Sequence, residues 1–403
     1  MHIIESGNVA AATGVKLARA QVIAAYPITP QTPLTEKLSE FVESGQLEAQ
    51  YIPVESEHSA MAVCIAASTA GTRAFTATSA NGLLYMVEQL HWAVGARLPI
   101  VMCVANRGIG APWTVWNDQQ DSMSQRDVGW IQLYANDHQQ IIDSVLKAFK
   151  LAQTVSIPVM VCYDGYLLSH TYMPFDKPEQ AGVDAFLPPF APTHFLDPEN
   201  PGNFNTVTLP DVRPGVDGTL QPGYIEIRHN LHQDLREALA TYEEIDREFT
   251  ERFGRGGNPF VEPYRCDDAR FVAVAIGSLS YQLRDVIDQL REDGLAIGVM
   301  GVQMYRPFPD EAIAKALAGK ECVIVLEKAL SYGNQGPLYG DIKSALYRLE
   351  NRPVLHNYIL GLGGREIRTQ QLLDVLAQSC ARPGEIEDTP RWIGLKLQEE
   401  HHG

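Results

Sequence analysis

The chain has 403 residues, 45% of them hydrophobic and 20% charged, with a formal net charge of −17. Such a length exceeds one ordinary core, so two or three domains are expected. The acidity argues against nonspecific nucleic-acid binding and against anionic membrane surfaces. The longest apolar runs, 98–105 and 271–277, have strand length and fall short of a membrane span. The N-terminus carries no signal-peptide pattern, so a cytoplasmic location is expected. Six cysteines are spread singly through the chain, which rules out a local zinc or iron–sulfur motif and gives no disulfide framework.

In chain order, "ARAQVIAAY" reads as a strand that runs into the proline-rich turn "YPITPQTP" (26–33). Three prolines forbid a helix there, Gln31 and Thr32 read as helix-entry residues, and Pro33 then opens the helix "PLTEKLSEFVES". "AQYIPVES" is a strand, "EHSAMAVCIAASTAG" a helix, "TRAFTATS" a strand and "LLYMVEQLHWAVGA" a helix. "LPIVMCVANRG" is a buried strand, followed by a polar loop, the helix "DHQQIIDSVLKAFKLAQ" and the strand "IPVMVCYDGY". Continuous apolar strands alternating with helices imply a parallel sheet covered on both faces.

From 174 to 224 the pattern dissolves into Pro, Gly and Asp, an extended excursion too long for a turn. A charged helix beginning at Gln233 leads to a second α/β unit, which opens at "RFVAVAIGS". It continues through "SYQLRDVIDQLREDG", "AIGVMGVQMY", "DEAIAKALAG", "ECVIVLEK" and "GPLYGDIKSALYRL". The expected fold class is α/β with two doubly wound sheets. Expected boundaries are 1–235 for the first domain, 236–265 for a helical linker, 266–385 for the second domain and 386–403 for a tail.

Ligands bind at the carboxyl edge of such sheets, and four loops of the first domain fall there: "YPITPQTP", "PVESEHSA", "ATSANG" and "VANRGIGAP". In the second, Ser56 or Glu57 can cap the following helix. Alternatively Glu57 is a carboxylate held in apolar surroundings, able to hydrogen-bond a heteroaromatic nitrogen and move protons. His58 reads as structural. Arg107, emerging from a buried strand, suits a carboxylate or phosphate, or else a structural ion pair. "WNDQQDS" (116–122) is an acidic loop that could hold magnesium but lacks a phosphate cradle, and "GLGG" (361–364) is a glycine-rich turn without an evident task.

Taken together, "AAYPITPQTP", "ESEHSAM", "TATSANGLLYM", "RLPIVMCVANR", "WNDQQDSMSQRDVGW", "PVMVCYDGY" and "GLGGREI" resemble the alpha subunit of the pyruvate:ferredoxin oxidoreductase family. These are thiamine-diphosphate-dependent 2-oxoacid:acceptor oxidoreductases, and the match runs in order from about residue 5 to residue 370. The resemblance implies a thiamine pyrimidine-binding domain followed by a transketolase C-terminal-like domain. It implies that Glu57 hydrogen-bonds the aminopyrimidine and so assists removal of the thiazolium C2 proton. Pro27, Thr29, Glu57 and Asn81 are the expected cofactor contacts.

On the same resemblance Thr29 and Arg107 meet the carboxylate of the substrate, with Trp113 beside them. Thr29 suits a neutral 2-oxoacid tail, pyruvate above all, whereas the indole of Trp113 suits an aromatic 2-oxoacid such as phenylglyoxylate. The product would be an acyl-CoA and CO2, with ferredoxin or NAD as acceptor. The chain has no GDG motif and no cluster cysteines, so no metal is assigned to it. The diphosphate with its Mg2+, and [4Fe-4S] clusters, are expected on beta, gamma and ferredoxin-like delta subunits in an assembly of twofold symmetry. A non-catalytic scaffold is the reading from a different class, and the retention of Glu57, Thr29 and Arg107 speaks against it.

Overall fold

The structure is a computed structural model that describes residues 1–192, 211–214, 218, 220–385 and 389–396. The chain opens with β1 (His2–Ser6) and α1 (Gly7–Leu17), whose start is capped by the Ser6 hydroxyl. Then follow β2 (Val22–Ala25), α2 (Thr32–Glu43), β3 (Gln50–Pro53), α3 (Glu57–Thr69) and β4 (Ala74–Thr78). Next come α4 (Ala80–Tyr85), α5 (Val87–Gly95), β5 (Val101–Asn106), α6 (Gln120–Met123) and β6 (Ile131–Tyr134). The unit continues with α7 (His138–Val155), β7 (Val159–Asp164), β8 (Tyr172–Asp176) and α8 (Gln180–Phe186). Two short strands, β9 (Arg213–Pro214) and β10 (Leu220–Gln221), precede the 30-residue helix α9 (Tyr224–Phe253).

The second unit contains β11 (Val261–Tyr264), β12 (Phe271–Ile276), α10 (Ser278–Glu292), β13 (Ile297–Val302) and β14 (Met304–Arg306). After them come α11 (Asp310–Leu317), β15 (Cys322–Glu327), α12 (Pro337–Leu346), β16 (Val354–Ile359), α13 (Thr369–Ala381) and β17 (Arg391–Trp392).

Two main sheets result. The first has seven strands in the order β14-β6-β7-β5-β4-β2-β3, the second six in the order β11-β13-β12-β15-β16-β17. Both are parallel except for one antiparallel edge strand each, β14 and β11. The central strands β5, β7, β12, β13 and β15 are buried at every position, which is why they read as unbroken apolar runs rather than alternating ones.

Several expectations need correction. The N-terminal strand and helix and the strand β6 were not foreseen, because β1 is mostly half-exposed and β6 is a four-residue strand within the stretch read as a polar loop. The run "AIGVMGVQMY" is two strands in different sheets, since β13 pairs within the second sheet and β14 with β6 of the first. The expected long helix over 83–96 is two helices joined at Met86. The excursion begins in regular structure: β8 pairs antiparallel with β1, and α8 follows. The rest of it from 193 to 210, and 386–388 and 397–403 of the tail, lie outside the described residues.

The charged helix starts nine positions before Gln233, at Tyr224, and lies along α7 rather than free in solvent. A buried Lys147–Asp246 pair at 2.9 Å and an Arg255–Asp143 pair at 2.7 Å hold it there. The two units meet at their carboxyl edges. Asp164 closes β7, Lys328 follows β15, and Lys328 Nζ lies 3.1 Å from Asp164 Oδ2.

Candidate active site

The loops after β2, β3, β4 and β5 converge on the carboxyl edge of the first sheet. The proline turn is fixed by side chains from three directions. Asn8 Nδ2 donates to the Pro30 carbonyl at 2.9 Å, and Asn8 is itself set by the Tyr163 hydroxyl at 2.8 Å. Gln31, fully buried, donates to the Ala77 carbonyl of β4 at 3.0 Å. Arg107 Nη1 donates to the Thr29 carbonyl at 2.9 Å. Gln31 therefore ties the turn to the sheet rather than merely opening α2. Thr29 and Pro27 stay exposed.

Arg107 is buried, and it makes no carboxylate pair among the described residues. Its Nε donates to the Thr114 carbonyl at 2.8 Å. With Nη1 on Thr29, two of its three nitrogens are held by main-chain oxygens, and Nη2 has no partner among the described residues. The structural ion pair is thus not what the guanidinium makes. It lines a hollow of about 340 Å³ with Trp113, Thr114, Val115 and Trp116. Trp113 is 74% exposed, with its ring lying 6.0 Å from the Arg107 guanidinium. The same ring covers Gly110 so closely that a Cβ there would lie 3.0 Å from it.

Glu57 stands at the first turn of α3, which Ser56 caps through the Ser59 N–H at 3.2 Å. Glu55 bonds the Ser59 hydroxyl, and His58 is engaged by Gln89 at 3.0 Å. Both neighbours are thereby occupied, and capping does not need Glu57. Glu57 is 7% exposed. Burial pushes its carboxyl above the usual glutamate range, opposed only by its own backbone N–H. Opposite it lies Gly82 of α4, where a Cβ would sit 2.5 Å from Glu57 Oε1 and 2.6 Å from Thr78 Oγ1. With no side chain of its own, Gly82 lets the carboxylate and the Thr78 hydroxyl pack directly over its Cα, in room that any Cβ would take. The Thr78 hydroxyl is buried there without a partner among the described residues.

Asn81 couples the two halves of the edge. Its Oδ1 accepts the Gly110 N–H at 2.9 Å, and its Nδ2 faces the Gly110 carbonyl at 3.4 Å. Sequence reasoning missed the residue beneath them, Asp121. This fully buried carboxylate accepts the backbone N–H groups of Ala80 at 2.9 Å and Arg107 at 3.0 Å on one oxygen. On the other it accepts Asn106 Nδ2 and the Ser122 N–H, each at 2.8 Å. Burial, helped by the nearby Asp118 charge, pushes its carboxyl up to about 7, against the pull of the Asn106, Arg107 and Ala80 donors. Asp121 pins the chain where it leaves β4 and β5. The signal was present in "WNDQQDS", a density of acids and amides that solvent alone does not require.

The acids of that loop are committed to backbone donors. Asp118 accepts the Gly363 N–H at 2.9 Å and the Gln120 N–H at 3.0 Å. Gln119 and Asn117 reach Asp164 at 3.1 and 3.2 Å. No group of three or more His, Cys, Asp or Glu side chains suited to a metal occurs among the described residues, and none of the helices described is long and apolar enough to cross a membrane.

Residues 13–230 match the family described as pyruvate flavodoxin/ferredoxin oxidoreductase, thiamine diphosphate-binding, and 269–372 match pyruvate:ferredoxin oxidoreductase core domain II. The chain is 44% identical to ketoisovalerate oxidoreductase subunit VorA of Pyrococcus abyssi, over 98% of each chain. It is 43% identical to pyruvate synthase subunit PorA of Methanothermobacter thermautotrophicus, again over 98% of each. Among solved structures, 2-oxoglutarate:ferredoxin oxidoreductase from Magnetococcus marinus superposes with a TM-score of 0.69 at 21% identity, a likeness of fold. That comparison covers 94% of this chain, which spans 65% of the other. The two-sheet architecture and the matched segments agree on one conclusion: the chain belongs to the pyruvate flavodoxin/ferredoxin oxidoreductase family, as an alpha-type subunit of a 2-oxoacid:ferredoxin oxidoreductase.

Proposed function

We propose that this chain supplies the pyrimidine side of a thiamine diphosphate site and the carboxylate-binding side of a 2-oxoacid site. The reaction is CoA-dependent oxidative decarboxylation to an acyl-CoA and CO2. The observation that carries the reading is the Glu57 carboxylate, buried at a strand exit and without a side-chain partner among the described residues. Such a carboxylate fits an aminopyrimidine edge, which offers it a nitrogen. Bound thiamine diphosphate supplies the electron sink for decarboxylation. Glu57 holds or moves a proton at the pyrimidine nitrogen, and its burial favours that role over simple solvation. Asn81 fixes the wall of the site through Gly110, and Pro27 borders it at the turn.

Arg107 and Thr29 receive the carboxylate of the 2-oxoacid. A guanidinium preset by two carbonyls loses little freedom on binding an anion, and the Thr29 hydroxyl is exposed beside it. Pyruvate is the leading substrate. Relatives named for pyruvate and for ketoisovalerate support a small aliphatic tail, linear or branched. The exposed Trp113 indole favours the second reading, an aromatic 2-oxoacid such as phenylglyoxylate. Beta, gamma and delta partners bring the diphosphate site with Mg2+ and the [4Fe-4S] clusters, in a cytoplasmic assembly of twofold symmetry, and pass electrons to ferredoxin or NAD. A scaffold subunit has no use for an unpartnered buried glutamate.

The test assays the native complex with pyruvate, ketoisovalerate and phenylglyoxylate, each with CoA and a viologen dye. Arg107→Ala and Thr29→Ala are expected to raise KM for the 2-oxoacid far more than KM for CoA. Equal effects on both would place the carboxylate elsewhere.

A further inference from the structure

The glycine-rich turn 361–364 of the second unit lies against the loop that carries Arg107 and Trp113. Gly363 N–H donates to Asp118 Oδ2 at 2.9 Å, and Gly364 N–H donates to the Asn117 carbonyl at 2.7 Å. The Thr114 hydroxyl meets the Gly363 carbonyl at 3.4 Å. Thr114 is the same residue whose carbonyl holds Arg107 Nε, and its hydroxyl also accepts the Trp116 N–H at 3.2 Å. Two hydrogen bonds thus separate the second unit from the guanidinium.

Only glycine fits this contact. Gly361, Gly363 and Gly364 have φ of +68°, +57° and +76°, a region costly for other residues. A Cβ on Gly364 would lie 2.2 Å from Trp116 Cβ and 2.9 Å from its Cγ. A surface turn needs neither this proximity nor three left-handed residues in a row of four. We propose that the Gly361–Gly364 turn is a positioning element for the 2-oxoacid site: the second unit sets the pose of Arg107 and of the Trp113–Trp116 wall through Thr114, Asn117 and Asp118. The inference rests on the reading of Arg107 as the carboxylate-binding residue and assigns the second unit a part in substrate selection.

The experiment compares three variants in the intact purified complex: Gly364→Ala, Thr114→Val and, as reference, Arg107→Ala. KM is measured for the 2-oxoacid and for CoA, and calorimetry gives Kd for oxamate, an unreactive 2-oxoacid analogue. Gly364→Ala is expected to raise KM for the 2-oxoacid and Kd for oxamate about ten-fold, as displacement of a positioned group by a fraction of an ångström does. KM for CoA stays unchanged. Thr114→Val keeps the shape and the carbonyl to Arg107 but removes the hydroxyl, and is expected to raise both 2-oxoacid values about three-fold. Should Gly364→Ala fail to assemble, Thr114→Val decides alone. Unchanged 2-oxoacid values in Thr114→Val, with Arg107→Ala impaired, overturn the positioning role only. An unimpaired Arg107→Ala overturns the carboxylate assignment beneath it.

Discussion

Lys328 Nζ and Asp164 Oδ2 meet at 3.1 Å, with only 2% and 1% of their side chains exposed, at the seam between the carboxyl edges of the two sheets. The Ser278 hydroxyl and backbone N–H and the side-chain amides of Asn117 and Gln119 also donate to Asp164. Lys328 also reaches Asn117 Oδ1 at 3.1 Å, and its carbonyl accepts the Gln119 N–H at 2.9 Å. A buried pair is a weak source of net stability but a costly one to break singly. Lys328→Met therefore leaves Asp164 an uncompensated buried charge, and is expected to cost about 3–5 kcal/mol in urea unfolding. The double variant Lys328→Met with Asp164→Leu should recover much of that loss, and no recovery would contradict the pairwise account.

The same carboxylate predicts a pH response. Burial opposes its ionisation, yet Lys328 and the surrounding donors outweigh burial and hold it below the usual carboxylate range. Because the native value lies under the unfolded one, this stabilisation is complete above about pH 4 and is lost as pH falls through the native value. Acid unfolding of the wild type should be steeper than that of Asp164→Asn. Parallel curves would disprove the linkage.

Glu57 behaves in the opposite sense. Its raised native value means that the neutral form is favoured by folding, a contribution complete below about pH 4.3 and lost as pH rises through the native value. Above its native value the ionised side chain costs stability, so Glu57→Gln is expected to raise Tm slightly there, by about 1 °C. It should also lower turnover by about 100-fold or more while the complex stays assembled. The acidic limb of the pH–rate profile should lie above the ordinary glutamate range in the wild type and vanish from the residual rate of the variant. Near-normal turnover in Glu57→Gln would remove Glu57 from the mechanism.

Gly82→Ala is expected to leave the fold intact and to impair the site. The new methyl would come within 2.5 Å of Glu57 Oε1 and 2.6 Å of Thr78 Oγ1, so the carboxylate must move. Loss of its geometry should cost about 100-fold in turnover, with near-wild-type circular dichroism. An active Gly82→Ala enzyme would show that the close packing of the carboxylate on Gly82 is not part of the site.

Asp121→Ala removes the acceptor for four donors at once. The expected cost is about 2–4 kcal/mol, measured by chemical unfolding, because buried N–H groups are left unpaired. Any folded fraction should show a raised KM for the 2-oxoacid, since the Arg107 backbone loses its anchor. A neutral substitution would contradict the role of Asp121 as the pin of both strand exits.

Much of the candidate site was legible as residue types at strand exits. Glu57, Thr29, Asn81 and Arg107 follow β3, β2, β4 and β5, and an apolar run followed by a polar turn announces such an exit without reference to its partners. The partners were not legible. Arg107 was weighed between an anion and an ion pair, and the structure gives it two carbonyls, one of them 78 residues away at Thr29. Gln31 was read as opening α2, because nothing local reveals that Ala77 of β4 lies within its reach. The acids of "WNDQQDS" suggested a cation site because the sequence shows charges and not the N–H groups that converge on them.

By itself, the sequence determined the alternation of buried strands and helices, the two-unit α/β architecture, the family, and the edge that carries the candidate site. These depend on local periodicity, on proline and glycine punctuation, and on motifs short enough to be read in one stretch. The tertiary structure alone decided that one apolar run, 297–306, serves two sheets, with β13 in one and β14 in the other. It also decided that Asp164 meets Lys328, and that the turn at Gly361–Gly364 leans on the loop of Arg107. Those contacts join segments more than a hundred residues apart, and their energy comes from desolvated polar groups finding partners. A chain read in order shows which groups need partners, and only the folded arrangement shows which ones they find.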